Sequence, residues 1–349
     1  MALLKDVAAR AGVSTATVSR VLNAPHVVSE RTRERVNAAI KALGYQPNRV
    51  ARRLSGRHEA ARMISLIIPD IQNPFYGLVA RGVEDVANEH HCVLILGNAD
   101  GNPDKEERYL NLMRAELVDG IIAPPISEQE ESLIVHLVRD GLPVVSIDGP
   151  MTSVEIDHVL VDNVKGAYEA VEQLLKLNHR RIGFIGGPLH YLGFKERYIG
   201  YTNALADNGL PLDNTLIKVG KARPENALRL THELLELSDR PTALFTADNL
   251  ITTGALEAIY EHHLRIPADI SLIGFDDIPV ARAFHPPLSV VRQSAYKMGH
   301  TAARLLFQRL QDPGRAPVKV VLEPKLILRD SCAPVPLEDR TVTTVPTGV

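Results

Sequence analysis

Apolar positions follow two different patterns along this chain. Near the N-terminus they recur at helical spacing, first over Leu4 to Ala11 and then over Thr15 to Asn23, and Gly12-Val13-Ser14 between them supplies a short turn with a serine cap. From residue 63 onward, wholly apolar runs such as Met63 to Pro69 alternate with helical periodicity such as Gly77 to Glu89. The first pattern predicts a helix-turn-helix, and the second predicts parallel sheets with crossover helices.

The alternation of strands and helices fills two similar units. The first continues through C-V-L-I-L-G, D-G-I-I-A and P-V-V-S-I-D. The second is expected to begin near H-V-L-V-D-N and to run through R-I-G-F-I-G-G, L-I-K-V-G, T-A-L-F-T-A-D and I-S-L-I-G-F-D-D. Two doubly wound lobes in tandem form a cleft at the carboxyl ends of their strands, which is the usual place for a small ligand.

Charge is distributed unevenly between the two patterns. Residues 1–60 carry eleven Lys or Arg against four Asp or Glu, so a formal net charge of −3 leaves about −10 on the rest of the chain. Cations confined to the helical segment favour phosphate contact there alone, with salt-sensitive affinity for nucleic acid. A solvated helical face would explain the charge by itself, but the turn geometry favours DNA.

Several classes of protein and site are excluded. No run approaches the roughly 18 to 20 apolar residues that cross a bilayer, and the N-terminus lacks the apolar core of a signal peptide, which predicts a cytoplasmic protein. Cys92 and Cys332 form neither a disulfide framework nor a CxxC site. His90-His91 and His262-His263 are adjacent on predicted helices and point apart, so no metal is expected.

Enzymatic motifs do not occur either. The chain has no G-x-S-x-G elbow and no Walker loop, and G-F-I-G-G-P lacks the spacing of a dinucleotide-binding turn. We therefore expect no cofactor and no catalysis. The last segment, 332–349, is rich in Pro and Thr with little periodicity and is expected to be a flexible tail.

Together these motifs resemble the LacI/GalR family of bacterial transcriptional regulators, which includes purine, ribose and lactose repressors. The resemblance spans residues 3–331 and rests on D-V-A-A-R-A-G-V-S-T-A-T-V-S-R-V-L-N, G-Y-Q-P-N-R-V-A-R-R-L, N-H-R-R-I-G-F-I-G-G-P and R-I-P-A-D-I-S-L-I-G-F-D-D. It implies an all-α helix-turn-helix domain at 1–46, a hinge helix and linker at 47–61, and an α/β, two-lobed core like the periplasmic binding proteins at 62–331. The first lobe is expected at about 62–160 plus 290–320, and the second at about 161–289 plus 321–331.

The family's DNA-reading positions fall on the second helix. The resemblance assigns base readout to Thr15, Ala16 and Arg20, of which Arg20 has the fork that chelates guanine and Ala16 offers only apolar contact, for instance with a thymine methyl. Ser14, Thr17 and Asn23 are assigned to phosphates. For Ser14 and Thr17, simple helix capping is an equally good explanation.

Asn48 to Leu54 resembles the family's hinge helix, which orders on the operator. Leu54 holds the position of the minor-groove wedge, with Arg49, Arg52 and Arg53 beside it to grip phosphate; a linker leucine touching the core is the alternative. A hinge pair and one reading head per subunit imply a pseudo-palindromic operator bound by a dimer, and a tetramer stays open. The subunit contact is expected at the first lobe and the ends of helices 73–90 and 294–311.

Side chains at strand ends are the candidate ligands of the cleft. The resemblance points to an aromatic, amide and charged set: Asn73, Phe75, Tyr76, Asp148, Arg197, Asp248, Asn249 and Asp276. Carboxylates, an amide and one arginine suit a polyhydroxyl effector, with an aromatic ring as a stacking face. Capping and packing explain Asn73, Phe75, Tyr76 and Asp148 equally well, and Arg197 could instead clamp a carboxylate or phosphate.

One departure bears on the class of effector, which stays open between a sugar, a sugar acid and, less favoured, a purine. Ala222 stands where purine and ribose relatives carry an aromatic, which weakens the case for a purine, while Lys221 or Arg223 admits a sugar acid. The rival hypothesis is a sugar-binding protein of the periplasmic type without regulatory DNA binding, but such a protein needs a signal peptide and no reading head.

Overall fold

The computed structural model describes residues 2–45, 62–125 and 128–335, and it divides at residue 62 into two compact units. The N-terminal unit contains α1 (Leu4–Ala11), α2 (Thr15–Asn23) and α3 (Glu30–Leu43), with a 3-10 turn at Pro25–Val27. The apolar stripes predicted from the sequence enclose its core, which consists of Val7, Ala8, Ala11, Val18, Val21, Val36 and Ala39.

The turn between α1 and α2 is fixed by three local contacts. Gly12 ends α1 in the left-handed region at φ +62°, where a glycine is unstrained. The Ser14 Oγ accepts the Thr17 backbone N–H at 3.1 Å and so caps α2. Arg35 on α3 donates to the backbone carbonyls of Ala11 and Gly12. The predicted helix-turn-helix is confirmed.

The second unit contains two lobes, each built on a six-stranded sheet. The first sheet has the order β11-β5-β4-β3-β1-β2. Its strands are β1 (Arg62–Ile68), β2 (Cys92–Asn98), β3 (Gly120–Ala123), β4 (Val144–Ile147), β5 (Asp157–Val161) and β11 (Lys319–Leu322). Its helices are α4 (Pro74–Glu89), α5 (Pro103–Ala115), α6 (Glu128–Arg139) and α11 (Ala295–Gln311).

The second sheet has the order β12-β10-β9-β8-β6-β7. Its strands are β6 (Ile182–Gly186), β7 (Ile217–Val219), β8 (Ala243–Thr246), β9 (Ser271–Phe275), β10 (Ser289–Arg292) and β12 (Lys325–Ile327), and its helices are α7 (Asn163–Lys176), α8 (Leu192–Asp207), α9 (Pro224–Leu235) and α10 (Asn249–Glu261). Short 3-10 turns lie at Asn214–Leu216 and Pro279–Arg282. Buried clusters on both faces of each sheet explain why the strands read as continuous apolar runs.

The sheets depart from the sequence prediction in three details. The segment H-V-L-V-D belongs to β5 of the first sheet, paired with β4 and β11, and does not open the second unit. The chain returns from the second lobe to the first after β10, so the predicted border at 290 falls inside that strand. It crosses back after β11, so the predicted border at 321 falls inside β11. The β10–β12 pair is antiparallel, whereas only parallel pairing was expected.

The start of the predicted tail is also wrong. Residues 332–335 are bound to the second lobe: Cys332 packs against its core, His179 Nε2 lies 3.1 Å from the Ala333 carbonyl, and the Val335 N–H donates to Leu177 at 2.9 Å. These four residues continue the lobe because their backbone groups are paired there. Residues 336–349 lie outside the described residues. Within the part of the chain that is described, no helix has the length and apolar content for a membrane span.

Candidate functional site

A cavity of about 570 Å³ lies between the two lobes at the carboxyl ends of their strands. Asp148 reaches it from the end of β4, Asp248 from β8 and Asp276 from β9, and Arg197 enters from α8. The structure therefore brings together the four charged residues that the sequence predicted for the cleft. The volume of the cavity falls within the range of ordinary small-molecule sites.

Arg197 is held rigidly beneath this cavity. Its Nε donates to Asn163 Oδ1 at 2.9 Å, and its Nη1 donates to the Ala247 carbonyl at 2.7 Å. The guanidinium carbon lies 4.0 Å from the centre of the Phe275 ring, a cation–π contact, and the residue is only 5% exposed. A buried cation needs compensating negative charge, and here the charge of Arg197 acts on the carboxylates of the cavity, lowering the pKa of Asp148, Asp248 and Asp276 against the effect of burial.

Burial dominates the electrostatics of those carboxylates. It raises the pKa of Asp148 to about 6, with the charge of Asp276 adding to the effect and Arg197 and the Tyr76 hydroxyl opposing it. Burial likewise raises the pKa of Asp248 to about 6, and that of Asp276 is raised although Arg197 and Gln293 counteract it. A ligand that donates hydrogen bonds would favour the ionised carboxylates, since hydrogen bonding to a charged form lowers its pKa.

Two buried oxygen atoms on the wall of the cavity have no hydrogen-bond partner among the described residues: Asp148 Oδ1 and Gln293 Oε1. The Tyr76 hydroxyl donates to the other Asp148 oxygen at 3.0 Å, and Gln293 Nε2 donates to Asp276 Oδ1 at 2.6 Å. Such orphaned acceptors cost free energy unless something donates to them. They mark positions for the hydroxyl or amine groups of a ligand.

Asn73 joins the two lobes. Its Nδ2 donates to Asp248 Oδ2 at 3.0 Å, while its Oδ1 accepts from the Phe75 N–H and from Asn249 Nδ2, both at 2.9 Å. Asn73 therefore caps α4 and bridges to the start of α10 at the same time. Asn73 lines the cavity, but Asn249, predicted beside it, contacts Asn73 and is not part of the wall.

The aromatic part of the wall comes from both lobes. Phe75 and Tyr76 meet edge to face, with ring centres 5.0 Å apart at 84°, and both line the cavity as predicted. Tyr191 and Phe194, which flank the start of α8, line it as well and were not predicted. Ala222 lines the same cavity with only a methyl group.

Arg223 forms a second bridge between the lobes. It pairs with Asp70 at the end of β1 and lies 3.4 Å from Gln72 Oε1. Its suggested contact with an acidic effector is thus replaced by an interlobe ion pair, whereas Lys221 stays exposed at the cavity. The pairing partner comes from more than 150 residues away, which sequence spacing does not reveal.

The reading face predicted on α2 is accessible. Thr15, Ala16 and Arg20 are all exposed, and Val18 on the opposite face is fully buried in the head core. The hydroxyls of Ser14 and Thr17 lie 2.9 Å apart and serve the helix cap. Of Asn23 only the backbone is described, and the predicted hinge residues Arg49, Arg52, Arg53 and Leu54 lie outside the described residues.

Comparisons with known proteins agree with this geometry. Residues 3–48 match the family of bacterial regulatory proteins, lacI family, and residues 171–332 match the periplasmic binding protein-like domain. The chain is 36% identical over 341 residues to the HTH-type transcriptional repressor PurR of Escherichia coli O1:K1 / APEC, covering 97% of this chain and 99% of that protein.

Two solved structures are similar over most of the chain. The complex of the transcriptional regulator CelR with cellobiose is 31% identical, with a TM-score of 0.71 over 95% of this chain and 100% of that one. The lac repressor dimer bound to operator and the anti-inducer ONPF is 26% identical, with a TM-score of 0.78 over 95% of this chain and 99% of that one.

Proposed function

The chain belongs to the LacI family of bacterial regulatory proteins and is a helix-turn-helix transcriptional regulator, and from this premise we propose that it represses genes under the control of a sugar or sugar derivative. As a homodimer it would bind a pseudo-palindromic operator in the cytoplasm, where the chromosome is. We assign no enzymatic step to it, since its relatives are transcriptional regulators.

The observation that carries this proposal is the polar interlobe cavity in a chain whose head exposes a reading helix. On α2, the exposed Thr15, Ala16 and Arg20 would meet base edges, and the exposed fork of Arg20 suits guanine O6 and N7. Ser14, Thr17 and Asn23 would contact phosphates and fix the register. Arg49, Arg52, Arg53 and Leu54 are proposed for the minor groove at the centre of the operator.

The effector class follows from the cavity's chemistry. Asp148, Asp248 and Asp276 offer paired acceptor oxygens, and Arg197 offers donors, so adjacent hydroxyls of a sugar can bind two partners each. The rings of Tyr191 and Phe194 supply an apolar face for the sugar ring. Three buried carboxylates beside one arginine disfavour an anionic ligand. The carboxylate of a sugar acid would have to pair with the exposed Lys221. A purine would find no aromatic ring to stack on at position 222, which is Ala222.

We propose that the two lobes couple effector binding to DNA binding. Asn73 and Arg223 bridge the two lobes beside the cavity, so a ligand that fills it would change the relative free energies of the open and closed lobes. A difference in effector affinity between those two arrangements is what couples the sites. CelR with cellobiose and the operator-bound lac repressor dimer support both halves of this mechanism.

The proposal is tested by selecting bound sites from random duplex DNA at physiological salt, with and without a panel of sugars, sugar acids and purines. We expect one pseudo-palindrome whose recovery shifts with a neutral sugar, and the direction of the shift separates inducer from corepressor. Sugar binding without enrichment of any sequence would instead support the binding-protein hypothesis.

The contribution of Arg20 is tested by Arg20→Ala, with Arg10→Ala on α1 as a control that removes the same charge. Arg20→Ala should cost about 1 to 3 kcal/mol on the selected operator and relax specificity at one base pair, because a bidentate base contact is lost. Equal weakening on operator and random DNA would make Arg20 a phosphate contact.

A further inference from the structure

His232, Glu236 and His262 form a cluster on the second lobe, away from the cavity. His232 lies in the last turn of α9, Glu236 follows that helix as its cap, and His262 caps α10. One potential ligand atom from each residue lies within 4.8 Å of the other two. We propose that this cluster binds a divalent transition metal ion of the zinc class.

The two imidazoles already converge as ligands of one ion would. His232 Nδ1 and His262 Nε2 are 2.8 Å apart, with ring centres separated by 5.0 Å. Tetrahedral Zn–N bonds of about 2.0 to 2.1 Å would place the two nitrogens about 3.3 Å apart. An ion therefore needs only a small separation of the rings, with His262 carrying its proton on Nδ1 instead of Nε2.

A second observation supports the ligand role of His232. The other nitrogen of this ring, Nε2, lies 2.8 Å from the carboxylate of Glu261. That contact places the proton on Nε2 and leaves the lone pair of Nδ1 directed at the cluster. A carboxylate on the far nitrogen is the usual companion of a metal-binding histidine, because it fixes the tautomer and raises ligand basicity.

Glu236 would supply the third ligand. The Glu236 N–H donates to the His232 carbonyl at 2.9 Å, so the helical geometry persists and the two side chains lie on one face, four residues apart. The exposed Glu236 carboxylate can rotate toward the nitrogens, and water would fill the fourth position. Two nitrogen donors and one carboxylate favour zinc-class ions over Mg²⁺ or Ca²⁺, which require oxygen ligands.

The two helices that carry the cluster pack closely against each other. At Gly254, an added Cβ would lie 2.1 Å from the Pro224 carbonyl, so α9 and α10 are in backbone contact. Leu234 and Ile259, near the cluster in sequence, are buried between the helices and the sheet. Ligands on two tightly packed helices keep their spacing, and this preorganisation favours metal binding. The ion would join the ends of α9 and α10 that are opposite to the cavity.

The test uses the full chain with any affinity tag removed, titrated with Zn²⁺ against a chromophoric chelator at pH 7.5. We expect one equivalent to bind, and His262→Asn to weaken that binding at least tenfold. The matched control is His263→Asn, because His263 is exposed and its φ of +56° suits asparagine. Glu261→Gln should weaken binding about tenfold through the His232 tautomer.

Folding and ligation are separated by two further measurements. Glu236→Gln changes an exposed side chain, so it tests ligation without disturbing the core, and it should also lower zinc affinity. Co²⁺ should give visible absorption bands in the wild type and in His263→Asn but not in His262→Asn. Failure of the wild type to bind, or unchanged affinity in both His262→Asn and Glu236→Gln, overturns the proposal.

Discussion

Helices α4 and α11 cross at two glycines, and this crossing yields a sharp prediction of stability. A Cβ at Gly82 would lie 2.2 Å from the Tyr296 carbonyl oxygen and 2.7 Å from the His300 nitrogen. A Cβ at Gly299 would lie 2.0 Å from the Val79 oxygen. Gly77, on the same helix as Gly82, is exposed, and a Cβ added there would meet no atom of the described residues within 4 Å.

Gly77→Ala and Gly82→Ala should therefore change the free energy of unfolding in opposite directions. Each gains about 1 kcal/mol of helix propensity. Gly77→Ala keeps that gain and stabilises the lobe by up to about 1 kcal/mol. In Gly82→Ala the methyl group meets backbone, which moves only with the whole helix, so α4 and α11 must separate by about 1 Å at a cost of about 1 to 3 kcal/mol or more. After the gain in helix propensity is subtracted, the net effect is destabilisation by up to about 2 kcal/mol or more.

The assay is urea unfolding of the full chain at matched protein concentration, followed by circular dichroism. Gly82→Ala should lower the transition midpoint and Gly77→Ala should leave it unchanged or raise it, without a change in slope. If both variants shift the midpoint in the same direction by the same amount, the close crossing of α4 and α11 is not what fixes the first lobe.

Three further predictions concern charge and assembly. Burial raises the pKa of Asp148 from 3.8 to about 6, so its contribution to stability is complete below pH 4 and is lost as the pH rises through 6. The free energy of unfolding of Asp148→Asn relative to wild type should thus rise by at most about 3 kcal/mol from pH 4 to pH 7, and a constant difference would contradict the assigned burial. Asp157 is fully buried and accepts hydrogen bonds from Arg309 and Arg315, so Asp157→Asn should lower the free energy of unfolding in urea by about 3 to 5 kcal/mol. The control, Asp140→Asn, breaks an exposed pair with Arg114 and should cost at most about 1 kcal/mol, and equal costs would refute the prediction. Leu78 on α4 is 46% exposed, and Leu78→Asp should raise the monomer fraction in sedimentation. Leu112 on α5 is 49% exposed, and the control Leu112→Asp should leave that fraction unchanged. If Leu78→Asp also leaves it unchanged, the subunit contact does not include this part of α4.

The cleft was predictable to the extent that it follows from strand ends. Asp148 and Asp276 come directly after a buried apolar strand and Asp248 comes one residue later, and parallel strands present such positions at one edge of the sheet. Gln293 follows β10 in the same way and was missed, although the same rule could have found it. Tyr191 carried no such signal, because a loop residue reaches the cavity only through the path of its backbone.

What depends on distant pairing could not be read from the sequence. The segment H-V-L-V-D has the pattern of any buried strand, and only its pairing with β4 and β11 places it in the first sheet. Arg223 meets Asp70, and His232 meets His262, across gaps that no local spacing encodes. Of the cluster of His232, Glu236 and His262, only the i, i+4 spacing of His232 and Glu236 was visible in the sequence.

Because each sheet is completed by a strand near the C-terminus, the two lobes are completed late in synthesis. The first sheet is completed by β11 and the second by β12, at Lys319–Leu322 and Lys325–Ile327, whereas the helical head has its core complete by Leu43. At translation rates of about 5 to 20 residues per second, the ribosome takes roughly 15 to 55 s to go from one to the other. During that interval a nascent chain carries a finished reading head but no finished cleft. Chains interrupted before residue 319 would therefore carry the helical head without a complete effector cavity.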